Sequence, residues 1–263
     1  MTMRFEHRAM ATQFELWMVG HDAGFLQSVA LQAWAELDRL ELLLSRFDQR
    51  AEVARINREG GVRPVRIEVE LFKILKDCQH WCNVTQGYFN ICMATQQSPE
   101  ASMILDEQNR SVYLEGEGCF LDLGGYGKGY ALDVIAGMIK DYGVTSAFVQ
   151  GGTSSALAWG ENESERWRVD IAHFMDKEHV IFKKDLQNCG FSYSATRGPE
   201  KREAGILNPV TGAPMIKPEA CWVIASTALE AEVITTAALA MGRDRARQFL
   251  KEFQKDTMEV GWL

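Results

Sequence analysis

Lys128 sits among four glycines, Gly124, Gly125, Gly127 and Gly129, in the stretch "FLDLGGYGKGYALD" that runs from residue 120 to 133. A short apolar run precedes the glycines, and Ala131, Val134, Ile135, Met138 and Ile139 follow at helical spacing, so the turn lies between a strand and a helix start. Backbone N–H groups at such a place face an anion such as a phosphate, and the lysine adds a full positive charge. The other reading is a turn whose glycines only let a strand meet a helix closely. A second pair, Glu232 and Thr236, stands four residues apart on one face of the helical stretch "TALEAEVITTAALAMG". No charged residue occurs from Val233 to Gly242, which predicts a buried helix in which a carboxylate needs a partner. Glu and Thr oxygens are hard ligands that suit Mg²⁺ or Ca²⁺. Alternatively, Glu232 lies at the exposed helix start beside Glu230, where the helix dipole favours it.

Two common nucleotide motifs fail at the glycine turn. Lys128 is followed by Gly129 rather than Ser or Thr, and Asp122 stands where a P-loop has its first glycine. "GYGKG" places its third glycine one residue early for a dinucleotide fingerprint. A second glycine turn, Gly151 and Gly152 in "AFVQGGTSS", follows an apolar run, and "GILNPVTGAP" is a loop fixed by Pro and Gly. Cys78 and Cys82 in "CQHWC" lie one helical turn apart beside His80, but they share an apolar face with Leu71, Ile74, Leu75 and Trp81, which favours core thiols over a metal site.

The elements that must position these residues read as follows. A strand is expected over 11–19, an amphipathic helix from about 24 to 44, and a polar connection containing "REGGVRP" before a second helix from about 69 to 83. "SVYL" and "CFLDL" read as short strands before the glycine turn. Strand-like runs flank Gly151 and Gly152 and continue through 166–194, followed by the strand "CWVIAS" and helices over about 228–241 and 243–254. Neither a regular βαβ alternation nor an internal repeat is present. One α+β domain of several layers over residues 1–263 is the expectation.

The 263 residues suffice for a large core, and the net charge of −8 without a long basic run argues against a nucleic-acid surface. The N-terminal "MTMRFEHRAM" lacks an apolar leader core, and no segment reaches the length of a membrane span, so a cytoplasmic protein with no membrane partner is expected.

Taken in order, several stretches resemble the ApbE family, the FAD:protein FMN transferases. These are "MATQFEL", "LSRFDQRAEVARIN", "GYFN", "DLGGYGKGYALD", "FVQGG", "GILNPVTGAP" and "TALEAEVITTAALAMG". The resemblance implies a single ApbE-like, T-fold-like domain of mixed sheets and helices. It also implies FAD as substrate, Mg²⁺ as cofactor, and transfer of FMN to a Thr or Ser of an acceptor flavoprotein with release of AMP. By the same resemblance Asp122 and Lys128 contact FAD, while the Gly125 carbonyl, Glu232 and Thr236 hold the metal. Met10, Phe47, Tyr88, Phe89 and Asn90 line the flavin pocket, with Ile206 near the ligand.

The chain departs from the family pattern in ways that matter chemically. Glu232 replaces an Asp ligand, Asn90 and Asn208 replace aspartates, and Gly205 stands where the family has the His thought to help activate the acceptor hydroxyl. A glycine moves no proton, so no catalytic base is assigned, and His173 and His179 read better as surface or core histidines than as its replacement. Two alternatives follow: a homologue that binds FAD without transferring FMN, and a FAD pyrophosphatase that yields FMN and AMP.

Overall fold

Alternation of apolar and polar residues sets the first hairpin. The computed structural model describes residues 1–94, 101–163, 165–173, 176–196, 208–210, 219–253 and 258–263. Strand β1 (Thr2–Ala9) pairs antiparallel with β2 (Thr12–Val19), which buries Phe14, Leu16 and Met18 on one face. The two-residue turn between them places Met10 and Ala11 at φ 49° and 57°, the left-handed values that a tight hairpin turn demands. Helix α1 (Ala23–Leu44) starts at Asp22, whose carboxylate accepts the Phe25 N–H at 3.0 Å. Its stripe of Leu26, Val29, Ala33, Leu37 and Leu40 is buried.

The expected polar connection after α1 contains a helix, α2 (Glu52–Glu59). It is held by tertiary contacts rather than by propensity: Val53, Ala54 and Ile56 are buried, and Asn57 exchanges hydrogen bonds with the backbone N–H and carbonyl of Leu121. Strand β3 (Val65–Arg66) and helix α3 (Val69–Val84) follow, then strands β4 (Cys92–Ala94), β5 (Ser102–Asp106), β6 (Ser111–Glu115) and β7 (Cys119–Leu121). Helix α4 (Gly127–Asp141) leads to β8 (Ala147–Gly151), β9 (Ser155–Trp159), β10 (Trp167–His173), β11 (Asp176–Leu186) and β12 (Cys189–Thr196). The last elements are β13 (Glu219–Ala225), α5 (Ala228–Met241), α6 (Arg243–Phe253) and β14 (Glu259–Trp262).

A seven-stranded antiparallel sheet of order β1-β2-β8-β9-β12-β13-β14 divides the molecule into layers. Phe14, Leu16, Val149 and Leu157 on one face pack with α1, α3 and α4, and Val223 and Ala225 pack with α5 and α6. On the other face Phe148, Phe191 and Trp222 meet Trp167, Val169 and Ile171 of the β10–β11 ribbon. Two small sheets, β3-β6-β5 and β4-β7, complete the α+β fold. Cys78 is buried in the helical layer and burial pushes its thiol up, Cys82 is half-buried, and all six cysteines are free. No helix among the described residues is long and apolar enough to cross a membrane.

Candidate functional site

The glycine turn meets the start of α5, and the packing explains why glycine is needed there. A Cβ on Gly129 would lie 2.7 Å from the Ala228 carbonyl oxygen and from Leu229 Cα, so only glycine lets α4 cross so close to α5. One helical turn on, the Asp133 carboxylate accepts the N–H groups of Ala228 and Leu229 at 2.9 Å each, and Thr227 Oγ1 accepts the Glu230 N–H at 3.0 Å. Burial raises the Asp133 carboxyl above its ordinary value, while these N–H groups oppose the rise.

That crossing brings Glu232 to the glycine turn. Its side chain is 4% exposed; Oε1 lies 2.5 Å from Lys128 Nζ, and Oε2 accepts the Gly129 N–H. Glu230 and Glu232 are both buried, which excludes an exposed helix start for this pair. Thr236 Oγ1 donates to the Glu232 carbonyl at 2.9 Å, and a Cβ on Gly125 would lie 3.1 Å from the same oxygen. Lys128 also donates to the Gly124 carbonyl at 3.4 Å. Gly125, Lys128, Glu232 and Thr236 therefore converge.

Asp122 stands at the other end of the turn. Its Oδ1 accepts the Gly124 N–H at 2.9 Å, and its Oδ2 lies 2.9 Å from Arg46 Nε, an ion contact without hydrogen-bond direction. The Arg46 guanidinium carbon lies 4.0 Å from the Phe47 ring centroid and 5.4 Å from that of Phe120. Sequence reasoning missed Arg46; the available signal was a cation beside an aromatic residue in "LSRFDQ". Phe47 itself is 74% exposed.

The other flavin-pocket candidates lie at varied depth. Met10 is half-buried at the β1–β2 turn. Phe89 is buried with its centroid 6.5 Å from that of Tyr126, a residue of the glycine turn whose hydroxyl donates to Asp77 at 2.8 Å. Tyr88 is buried beneath the Arg245 guanidinium, whose carbon lies 4.8 Å from its ring centroid. Asn90 Oδ1 accepts the Cys92 N–H at 2.9 Å, and the Asp122 N–H donates to the Ile91 carbonyl at 2.9 Å, so this segment runs beside the turn. Gly205 and Ile206 lie outside the described residues. Asn208 Nδ2 donates to the Ala240 carbonyl at 3.1 Å, near the end of α5.

The second glycine turn serves packing. Gly152 has φ 61°, and a Cβ there would lie 2.5 Å from Thr12 Oγ1. It borders a cleft of about 900 Å³ on the opposite face of the sheet, lined in part by Trp17, Phe148, Arg166, Val169 and Tyr193 and by none of the converging residues above. His173 and His179 face each other across the β10–β11 ribbon on that side, with centroids 6.5 Å apart.

Beside Lys128 stand the Glu232 carboxylate and, next to the Gly125 backbone, the Thr236 hydroxyl. That donor set fits a hard divalent cation, and a side chain on Gly125 would crowd Thr236 Oγ1. No cluster of three His, Cys, Asp or Glu side chains that could hold a metal ion is present among the described residues, at Glu232 or elsewhere.

Fold and site thus define an α+β protein with a glycine turn whose Gly124 and Gly129 N–H groups bond the protein's own carboxylates, set against the buried Glu232. Residues 10–261 match the ApbE family model, and the chain belongs to the ApbE family. A FAD:protein FMN transferase of Klebsiella pneumoniae (strain 342) is 24% identical over 280 residues, covering 93% of this chain and 80% of that protein. One of Salmonella typhimurium is 22% identical, covering 94% of this chain and 80% of its own length. Among solved structures, the ApbE protein of Thermotoga maritima aligns with a TM-score of 0.86 at 18% identity, over 99% of this chain and 93% of that one. The apo flavinyl transferase ApbE of Pseudomonas stutzeri aligns at 0.80 and 18% identity, over 100% and 94%. These alignments show the shared fold.

Proposed function

We propose that this chain is a Mg²⁺-dependent flavin transferase that moves FMN from FAD to a Thr or Ser hydroxyl of an acceptor protein and releases AMP. The observation that carries this reading is the convergence of Lys128, Glu232, Thr236 and Gly125 at the start of α4. The names of the related transferases support it. In the reaction the acceptor oxygen forms a bond to the FMN phosphorus, the pyrophosphate bond breaks, and the bridging oxygen leaves with AMP. Lys128 would hold the pyrophosphate and steady the charge that develops on its oxygens. Glu232, Thr236 and the Gly125 carbonyl would hold Mg²⁺, whose chemistry is to neutralise phosphoryl oxygens.

Asp122, fixed by the Gly124 N–H and Arg46, would orient FAD at the other end of the turn. Phe47, exposed and backed by a cation, would lie against the flavin together with Met10, while Tyr88, Phe89, Asn90 and Ile206 would shape the pocket wall. The proton of the acceptor hydroxyl passes to solvent, because the position of the family's His is Gly205. Without a general base the step forgoes about 10²–10⁴-fold in rate.

The test is to titrate FAD into metal-free protein, add Mg²⁺ with and without an acceptor domain, and follow AMP, FMN and flavinylated protein by chromatography. FAD binding followed by Mg²⁺-dependent AMP release and a covalent flavin on the acceptor is expected. Failure to bind FAD overturns the reading. Free FMN and AMP in equal amounts with no acceptor would replace transfer by hydrolysis.

A further inference from the structure

The charges around the glycine turn balance in pairs. Lys128 is opposed by Glu232, and Arg46 by Asp122. Among the described residues Lys128 is the single cation within ion-pair distance of Glu232, and Glu232 is buried, so this carboxylate has little access to screening water. A divalent cation that used the same carboxylate would meet the Lys128 ammonium beside it. Two cations competing for one buried carboxylate disfavour each other. A pyrophosphate diester carries two negative charges and would restore the balance.

We propose that Lys128 and the divalent cation are mutually exclusive partners of Glu232 in the ligand-free protein. Metal loading at Glu232 is therefore coupled to arrival of the pyrophosphate, which draws the Lys128 ammonium away. The inference rests on the functional reading above and assigns Lys128 a second role, that of holding the metal position closed. The coupling is reciprocal, so metal and FAD strengthen each other's binding.

The probe is Mn²⁺ alone, titrated into nucleotide-free protein and followed by electron paramagnetic resonance of the free ion. Lys128→Met is expected to bind Mn²⁺ about tenfold or more tightly than the parent, a usual size for coupling between sites. Lys128→Arg, which keeps the charge, is expected to bind as weakly as the parent, and adding Glu232→Gln to Lys128→Met is expected to remove the gain. Lys128→Gln serves if the Met variant does not fold. Unchanged or weaker Mn²⁺ binding on loss of the lysine charge overturns the exclusion. Tight binding that survives Glu232→Gln overturns the placement of the cation at Glu232. A parallel FAD titration without metal reports on the flavin reading independently of both.

Discussion

Gly129 and Leu229 approach so closely that a Cβ on the glycine would lie 2.7 Å from the leucine Cα. The same contact seats the start of α5 on α4 and delivers Glu232 to Lys128. Gly129→Ala is expected to lower unfolding free energy by about 1–3 kcal/mol, the usual cost of overpacking where backbone must retreat. Urea unfolding measures this. FAD affinity should fall in step, because the crossing and the site are one structure; unchanged stability and affinity would show that the helices can part freely.

Asp133 gives a pH signature. Burial raises its carboxyl above the ordinary value of 3.8, so the folded protein holds this proton more tightly than the unfolded chain does. For a raised acid the contribution to stability is full below the unfolded value and falls as pH rises through the folded one. The stability of the parent relative to Asp133→Asn should therefore decline as pH rises above the ordinary value of 3.8. Unfolding titrations of the two proteins across that rise test the sign.

Lys128→Ala combined with Asp122→Ala should abolish measurable FAD binding, since hydrogen bonds to charged groups contribute about 1.5–3 kcal/mol each. Flavin fluorescence titration reads this directly. Retained affinity would remove the glycine turn from the substrate site.

Arg46→Ala should weaken FAD binding several-fold, because Asp122 loses the guanidinium that fixes it, and Arg46→Lys should restore little because a lysine cannot stack as a planar fork. The split to measure is KM against kcat, with the larger effect expected on KM.

Gly205→His should raise the rate of FMN transfer, by as much as the 10²–10⁴-fold that general bases supply, with little change in FAD affinity. Single-turnover labelling of an acceptor domain is the measurement. No gain would mean that proton removal does not limit the reaction in this chain.

Much of this was legible in the residues themselves. The leucine stripe of α1 and the alternation of β2 gave their elements directly, because burial on one face leaves a periodic trace. Helix α2 left a weaker trace: eight residues with Arg55 and Arg58 among them read as polar, and only Asn57 reaching Leu121 shows why they fold. Lys128, Glu232 and Thr236 were recognisable as chemistry-bearing types, yet their convergence depends on Gly129 and Asp133, whose partners lie about a hundred residues away. Arg46 escaped because an arginine beside an aromatic residue is ordinary until a carboxylate from a distant turn is placed against it.

The order of the central sheet also governs when the molecule can assemble. Strand β2 finds its second neighbour in β8, pairing Phe14 with Gly151, so the N-terminal hairpin has only itself to pair with until the chain beyond residue 151 exists. Such non-local pairing slows folding and leaves a strand edge open meanwhile. Until β8 is made, the edge of β2 that later takes Gly151 has no partner.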